Sequence, residues 1–170
     1  MILSKLPTKL DGREIPTDFR TWIRYGHIWE SNLLIEEKVR LSFKLILKIE
    51  PFESHEDLKK WLDLFTWFYR CGKDSNRGTP TKERVLDWKE DELTIWADFK
   101  TYNGIDLRSA RLHWWEFMAL FSSLPSNSQM KEIISLRAMD LSEIKDPTTR
   151  RKYADAKAQV ALDCNNDEWW

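Results

Sequence analysis

Two adjacent tryptophans, Trp114 and Trp115, lie inside the segment RLHWWEFMALFSSLP, whose hydrophobic pattern otherwise predicts an ordinary helix. Adjacent side chains on a helix point about 100° apart, so one narrow apolar stripe does not easily bury both rings. Such a helix is either covered on two sides within its own fold or presents one ring to a partner. We predict that it runs from Ser109 to Leu124, because Pro125 cannot continue it.

The composition indicates one globular domain with an aromatic core. A chain of 170 residues with 42% hydrophobic and 32% charged residues is long enough to bury a sizeable core. Its ten tryptophans make that core aromatic-rich. The 27 basic residues are balanced by 28 acidic ones, so no basic excess indicates a nucleic-acid binder.

Cysteine usage and hydropathy indicate a soluble intracellular protein. Cys71 and Cys164 are too far apart along the chain for a disulfide framework or a zinc ribbon, which fits a reducing compartment. The first residues, MILSKLPTKL, lack the apolar core of a signal peptide. No apolar run approaches the roughly 20 residues that span a bilayer, so we expect no membrane association.

In the first half, Asp11-Gly12 predicts a type I′ turn and hence a β-hairpin over residues 1–16. Helices follow over residues 17–72. Thr17 is the predicted N-cap of the first helix, and Ile35–Ile49 forms the second. Ser54 begins the third helix with a capping-box pattern, and Gly72 is its predicted C-cap.

The stretch KDSNRGTPTK predicts a loop over residues 73–88, followed by a second helical half over 89–162. That half contains an amphipathic segment around Met130, and Asp146-Pro147 has the N-cap and N1 chemistry of a last helix. The polar stretch 163–170 is a tail. The predicted fold is therefore mainly α: a compact helical domain of six to seven helices over residues 1–162, with a short N-terminal β-hairpin.

The sequence contains no motif typical of an enzyme, a cofactor site or a metal site. Its five glycines are too scattered for a phosphate loop. His113 and Glu116 are three residues apart and could share a helix face, but the second copy found in di-iron bundles is missing. We expect no catalytic residue, no cofactor and no metal. A metal-dependent helical enzyme that uses His113 and Glu116 is an alternative.

Partner binding is the function that remains for the aromatic residues. Tryptophan is favoured at interface hot spots because it buries a large area with few rotatable bonds. Burial within the fold competes with this role for the tandem pair. The polar lead-in DCNNDE makes burial of the last two aromatics harder to assume. The candidate partner-binding residues are Trp114, Trp115, Phe117, Phe121, Trp169 and Trp170.

Three blocks of the sequence resemble a family of siphophage proteins. They are TDFRTWIR, NGIDLRSARLHWWEFMALFSSLP and ISLRAMDLSEIKDPTTRRKYADAK, and the similarity extends to about Ala161. Members occur in phages and prophages of Gram-positive bacteria, are encoded close to the tail-tube and tape-measure genes, and are regarded as tail assembly chaperones. The ending NNDEWW does not match the family.

The resemblance implies a non-enzymatic helical protein that keeps the tape-measure protein soluble and helps tail-tube subunits assemble around it. Such a protein dissociates from the tail before the virion is complete. Because it must cover a long client, self-association is a further expectation. The alternative is a phage-encoded regulator that binds nucleic acid through the basic face of Arg150–Lys157.

Overall fold

A computed structural model describes residues 5–73 and 84–162. They fall into two compact units. Unit 1 comprises residues 5–73 and 111–119, and unit 2 comprises residues 84–110 and 120–162. The mainly α fold is confirmed, since these residues form seven α-helices and one two-stranded antiparallel hairpin. The single domain over 1–162 stays a prediction, because compact units need not fold independently. Most of the predicted loop and the whole tail lie outside the described residues.

The strands and helices follow the chain in this order: β1 Lys9–Leu10, β2 Arg13–Glu14, α1 Phe19–Glu30, α2 Ile35–Ile46, α3 His55–Tyr69, α4 Glu92–Asp98, α5 Trp114–Ser122, α6 Gln129–Ala138 and α7 Pro147–Gln159. A π-helical turn, Phe99–Asn103, continues α4, and a 3₁₀ turn, Leu141–Glu143, precedes α7.

The predicted hairpin turn is confirmed. Asp11 and Gly12 have φ angles of 45° and 78°, and a type I′ turn requires positive values at both positions. Lys9 pairs with Glu14 in the resulting antiparallel register. The Lys60 ammonium on α3 lies 2.7 Å from the Asp11 carboxylate, which ties the turn to the helical part of unit 1.

Of three predicted helix boundaries, the start of α3 is confirmed and the other two are wrong by one to three residues. Ser54 accepts the Asp57 N–H at the start of α3, as expected. The predicted cap Thr17 is wrong by one residue, because Asp18 accepts the Arg20 N–H instead. The second helix ends at Ile46 rather than Ile49, and the chain turns at Lys48, where φ is 59°.

The predicted start of α5 at Ser109 is also wrong. Leu112 accepts the Phe19 N–H, and Trp114 donates its N–H to Thr17. These bonds form an isolated antiparallel bridge between Asp18 and His113, so the chain is extended where a helix was expected. The helix therefore begins only at Trp114.

Aromatic side chains fill the interior of unit 1. The Phe19 and Phe117 rings are stacked with centroids 4.6 Å apart, and the Trp22 and Phe68 rings are 4.3 Å apart. The side chains with no more than 1% of their surface exposed include Trp22, Phe43, Phe65, Phe68, Trp114 and Phe117. The aromatic core expected from the tryptophan content is thus present.

Buried charged side chains connect the segments of unit 2. Arg137 on α6 makes a bidentate ion pair with Asp91, with nitrogen–oxygen distances of 2.6 and 2.9 Å. The same guanidinium donates to the carbonyls of Val85 and Val160, so one side chain joins three segments of the unit. The buried Asp98 carboxylate accepts the Met130 N–H at 2.8 Å near the start of α6. Arg137 lies within one of the blocks that resemble the siphophage family.

Candidate interaction surface

The tandem tryptophans bind the C-terminal end of α3. The Trp114 indole N–H donates to the Tyr69 carbonyl, and the Trp115 indole N–H donates to the Phe68 carbonyl, each at 2.8 Å. The last four carbonyls of a helix lack intrahelical partners. Two adjacent indoles therefore serve two adjacent carbonyls, which explains why these residues occur side by side.

The end of α3 has the hydrogen-bond pattern of a Schellman motif. The Gly72 N–H donates to Trp67, and the Cys71 N–H donates to Phe68. The C-cap is Arg70, so the predicted cap Gly72 is wrong by two positions. Both Cys71 and Gly72 have positive φ angles, 56° and 74°, and burial raises the pKa of the Cys71 thiol to about 11. Such a thiol is protonated at neutral pH, which disfavours a nucleophilic role.

His113 has a structural position at the start of α5. Its Nδ1 accepts the Trp115 N–H at 3.0 Å, and its Nε2 lies 2.9 Å from the Pro7 carbonyl oxygen. An accepting Nδ1 requires the tautomer in which Nε2 carries the proton and donates to Pro7. Both ring nitrogens thus bind backbone groups, while Glu116 is exposed. No group of side chains with metal-ligating geometry occurs among residues 5–73 and 84–162.

The structure separates the candidate partner-binding residues. Trp114, Phe117 and Phe121 are buried, with 1%, 0% and 6% of their surface exposed. Trp115 is half-buried. Trp169 and Trp170 lie outside the described residues. A binding role for these six residues stays a prediction, and Trp115 is the described one that is best placed for it.

Trp67 is the surface aromatic that the sequence analysis missed. It is 38% exposed, and its ring meets the Trp115 ring edge-on with centroids 5.3 Å apart. The core stripe of α3 runs through Trp61 and Phe65, and Trp67 lies about 200° around the helix from Phe65. A tryptophan off the apolar stripe is the sequence signal that could have identified it.

A shallow, open groove of about 500 Å³ lies along the outer face of α3 beside Trp67, and all of its lining residues belong to α3 itself. Its apolar lining comes mainly from Leu64 and Trp67, and charged side chains form its rim. We call the groove, together with the exposed part of Trp115, the α3 groove surface. The residues lining the groove itself are Glu56, Lys59, Lys60, Asp63, Leu64 and Trp67.

The lysines of the rim are already paired within unit 1. Lys59 lies 3.0 Å from the Asp63 carboxylate, and Lys60 binds Asp11. Each ammonium group has a carboxylate beside it, so this surface has little net positive charge to attract a polyanion. The chemistry of this surface is therefore apolar contact flanked by neutralised charge.

A comparison with known protein families matches almost the whole chain. The family described as Bacteriophage Gp15 protein matches residues 3–162. The chain belongs to this bacteriophage protein family. The match covers the hairpin, both tryptophans of the tandem pair and the Arg137 ion pair. No curated protein and no solved structure matches the chain. Within the described residues, no helix is both long and apolar enough to cross a membrane.

Proposed function

We propose that this phage protein is a tail assembly chaperone of a siphophage or prophage of Gram-positive bacteria. It acts in the host cytoplasm, binds and solubilises the tape-measure protein, promotes tail-tube assembly and is absent from the mature virion. It catalyses no reaction. Membership of a bacteriophage family and the sequence blocks that resemble tail assembly chaperones support this proposal.

The α3 groove surface is the proposed client site, and the exposure of Trp67 is the observation that carries this assignment. From Glu56 to Trp67 the groove follows three turns of α3, roughly 16 Å at 1.5 Å per residue. An occupant of matching length is a three-turn amphipathic helix with apolar anchors at i, i+3 or i+4, and i+7. A long tape-measure protein offers such helices before the tail tube encloses it.

At the α3 groove surface, the charge pattern favours this client over nucleic acid. Because Lys59 and Lys60 are paired with carboxylates of the same unit, binding at this surface should depend mainly on burial of apolar area. We therefore expect client binding that changes little with salt. Nucleic-acid binding would weaken steeply with salt, because it releases counterions.

The test is co-expression with the tape-measure protein of the same genome, followed by size-exclusion chromatography. The proposal predicts that the tape-measure protein is soluble only with this chain and elutes with it. Trp67→Ala should weaken the complex at least about 30-fold, the effect of losing a tryptophan hot spot worth ~2 kcal/mol. Leu93→Ala is the matched control, because Leu93 is 77% exposed and lies in unit 2.

The outcomes distinguish the chaperone function from the location of the client site on α3. A client that precipitates despite the wild-type chain contradicts the chaperone function. Co-elution that survives Trp67→Ala, with thermal unfolding of the variant near wild type, keeps the function and rejects the α3 groove surface. Binding of nucleic acid with a steep salt dependence, and no binding of tape-measure or tail-tube protein, would favour the regulator instead.

A further inference from the structure

Helix α7 presents a basic surface. None of its thirteen residues is buried, and Arg150, Arg151 and Lys152 are exposed. These three cations make no ion pair with any part of the chain that the structure describes. With Lys157 against the single carboxylate of Asp155, the helix has a formal charge of +3.

The position of these cations does not stabilise the helix. They lie in its N-terminal half, where the helix dipole disfavours positive charge. Tyr153, 37% exposed, is three residues after Arg150 and lies beside it on the helix surface. Arg151 lies about 100° from Arg150 on the other side, whereas Lys152 lies about 200° away. We call Arg150, Arg151 and Tyr153, which share one half of the helix surface, the α7 basic face.

A complementary surface occurs at the start of α2. Leu34 and Ile35 are 70% and 56% exposed, and the exposed Glu36 and Glu37 follow directly. Neither glutamate forms an ion pair among residues 5–73 and 84–162. We call these four residues the α2 patch.

Local helix chemistry does not account for the apolar part of the α2 patch. Leu34 is the N-cap of α2 and makes no side-chain capping hydrogen bond. Ser, Thr, Asp and Asn are strongly preferred at this position, and leucine is among the poorest choices. Two adjacent, largely exposed aliphatic side chains beside two carboxylates have the composition of a small interface.

We propose that the α7 basic face of one copy of this chain binds the α2 patch of another copy. The guanidinium groups would pair with the two carboxylates, and Tyr153 would cover Leu34 and Ile35. The two surfaces differ, so the interface is heterologous, and repetition yields a ring or an open array of copies. The interface is inferred from the exposure and charge of the two surfaces, and the inference holds whether or not the client is the tape-measure protein.

Sedimentation velocity on the purified full-length chain tests this interface. We expect the average mass to rise with protein concentration at low salt, and the association to weaken at high salt as the charges are screened. The double variants Glu36→Lys/Glu37→Lys and Arg150→Glu/Arg151→Glu should each associate at least about tenfold more weakly, because like charges then face each other.

Mixing the two charge-reversed variants is the decisive test of whether these two surfaces contact each other. The mixture contains opposite charges at both contacts, so association should return to near the wild-type level. Glu53→Lys is the matched control, because Glu53 is exposed and belongs to neither surface. Thermal unfolding of every variant confirms that the fold is kept.

Several results would overturn the interface. A wild-type chain that stays monomeric up to about 1 mM lacks it. Charge reversal without effect, or a mixture that fails to recover, rejects these two surfaces. If Arg150→Glu/Arg151→Glu removes salt-dependent nucleic-acid binding and leaves association unchanged, the α7 basic face serves nucleic acid instead. Trp67→Ala should leave self-association intact. The proposed self-association interface and the proposed client site can therefore be rejected separately.

Discussion

The tandem tryptophans allow the same substitution to be compared at two neighbouring positions. Trp114→Phe and Trp115→Phe each remove an indole donor that lies 2.8 Å from a carbonyl of α3. The environments differ, because Trp114 is 1% exposed and stacks on Tyr69, whereas Trp115 is half-buried. We predict a markedly larger loss of stability at Trp114.

The magnitudes follow from burial. At Trp114, removing an interior donor costs about 2 kcal/mol. The lost ring volume adds about 1 kcal/mol at roughly 24 cal/mol per Å³, for a total of about 3 kcal/mol. At Trp115, solvent reaches part of the site, and the Phe68 carbonyl still accepts the Cys71 N–H. The expected loss there is about 1 kcal/mol, the net value of one hydrogen bond.

Urea denaturation followed by circular dichroism measures both losses as shifts of the midpoint at constant m-value. Trp67→Phe is the matched control, because no hydrogen bond of its indole occurs among the described residues, and we expect a loss under about 0.5 kcal/mol. If Trp115→Phe costs as much as Trp114→Phe, the argument that burial decides the cost of losing the indole donor is wrong.

Three further substitutions test other parts of the fold. Arg137→Met should lower the free energy of unfolding by about 3–5 kcal/mol in urea, because it leaves the buried Asp91 carboxylate without its ion-pair partner; a loss below ~1 kcal/mol would contradict this. Gly72→Ala should cost about 1–2 kcal/mol and change the tryptophan fluorescence, because φ is +74° and the added Cβ would lie 2.9 Å from the Trp115 ring; an unchanged spectrum and midpoint would argue against that contact. Burial raises the pKa of Tyr25 to about 12, so the neutral side chain contributes fully to the free energy of unfolding below pH 10, and about 2–3 kcal/mol of stability is lost between pH 10 and 12. Tyr25→Phe should remove this loss of stability at alkaline pH. A pH profile of stability that is the same in wild type and variant would refute the prediction.

Local signals predicted the hairpin and several helix ends. Asp11-Gly12, Ser54 and Asp146 each act within about three residues, through backbone angles or side-chain hydrogen bonds to nearby N–H groups. The helix-rich fold class follows from apolar spacing in the same way. The start of α5 was missed because its extended entry pairs with residues about 95 positions earlier in the chain.

The candidate surface was only partly predictable. The adjacent tryptophans predicted that one ring of Trp114 and Trp115 could face a partner, but the sequence could not show which ring is buried. Apolar spacing in α3 predicts only its core stripe, and a tryptophan outside that stripe becomes significant only when its exposure is known, as for Trp67. The exposed α2 patch was not recognised as a surface, because apolar residues at a helix start normally suggest burial.

By itself, the sequence determined the helical class, the aromatic character of the core, the hairpin turn and the N-caps at Ser54 and Asp146. These properties depend on residue spacing and on side chains that act on their own backbone. Tertiary structure alone decided that adjacent indoles bind adjacent carbonyls of α3 and that Arg137 joins three segments. Those contacts join residues 23 to 52 positions apart, and no local pattern specifies such a pairing.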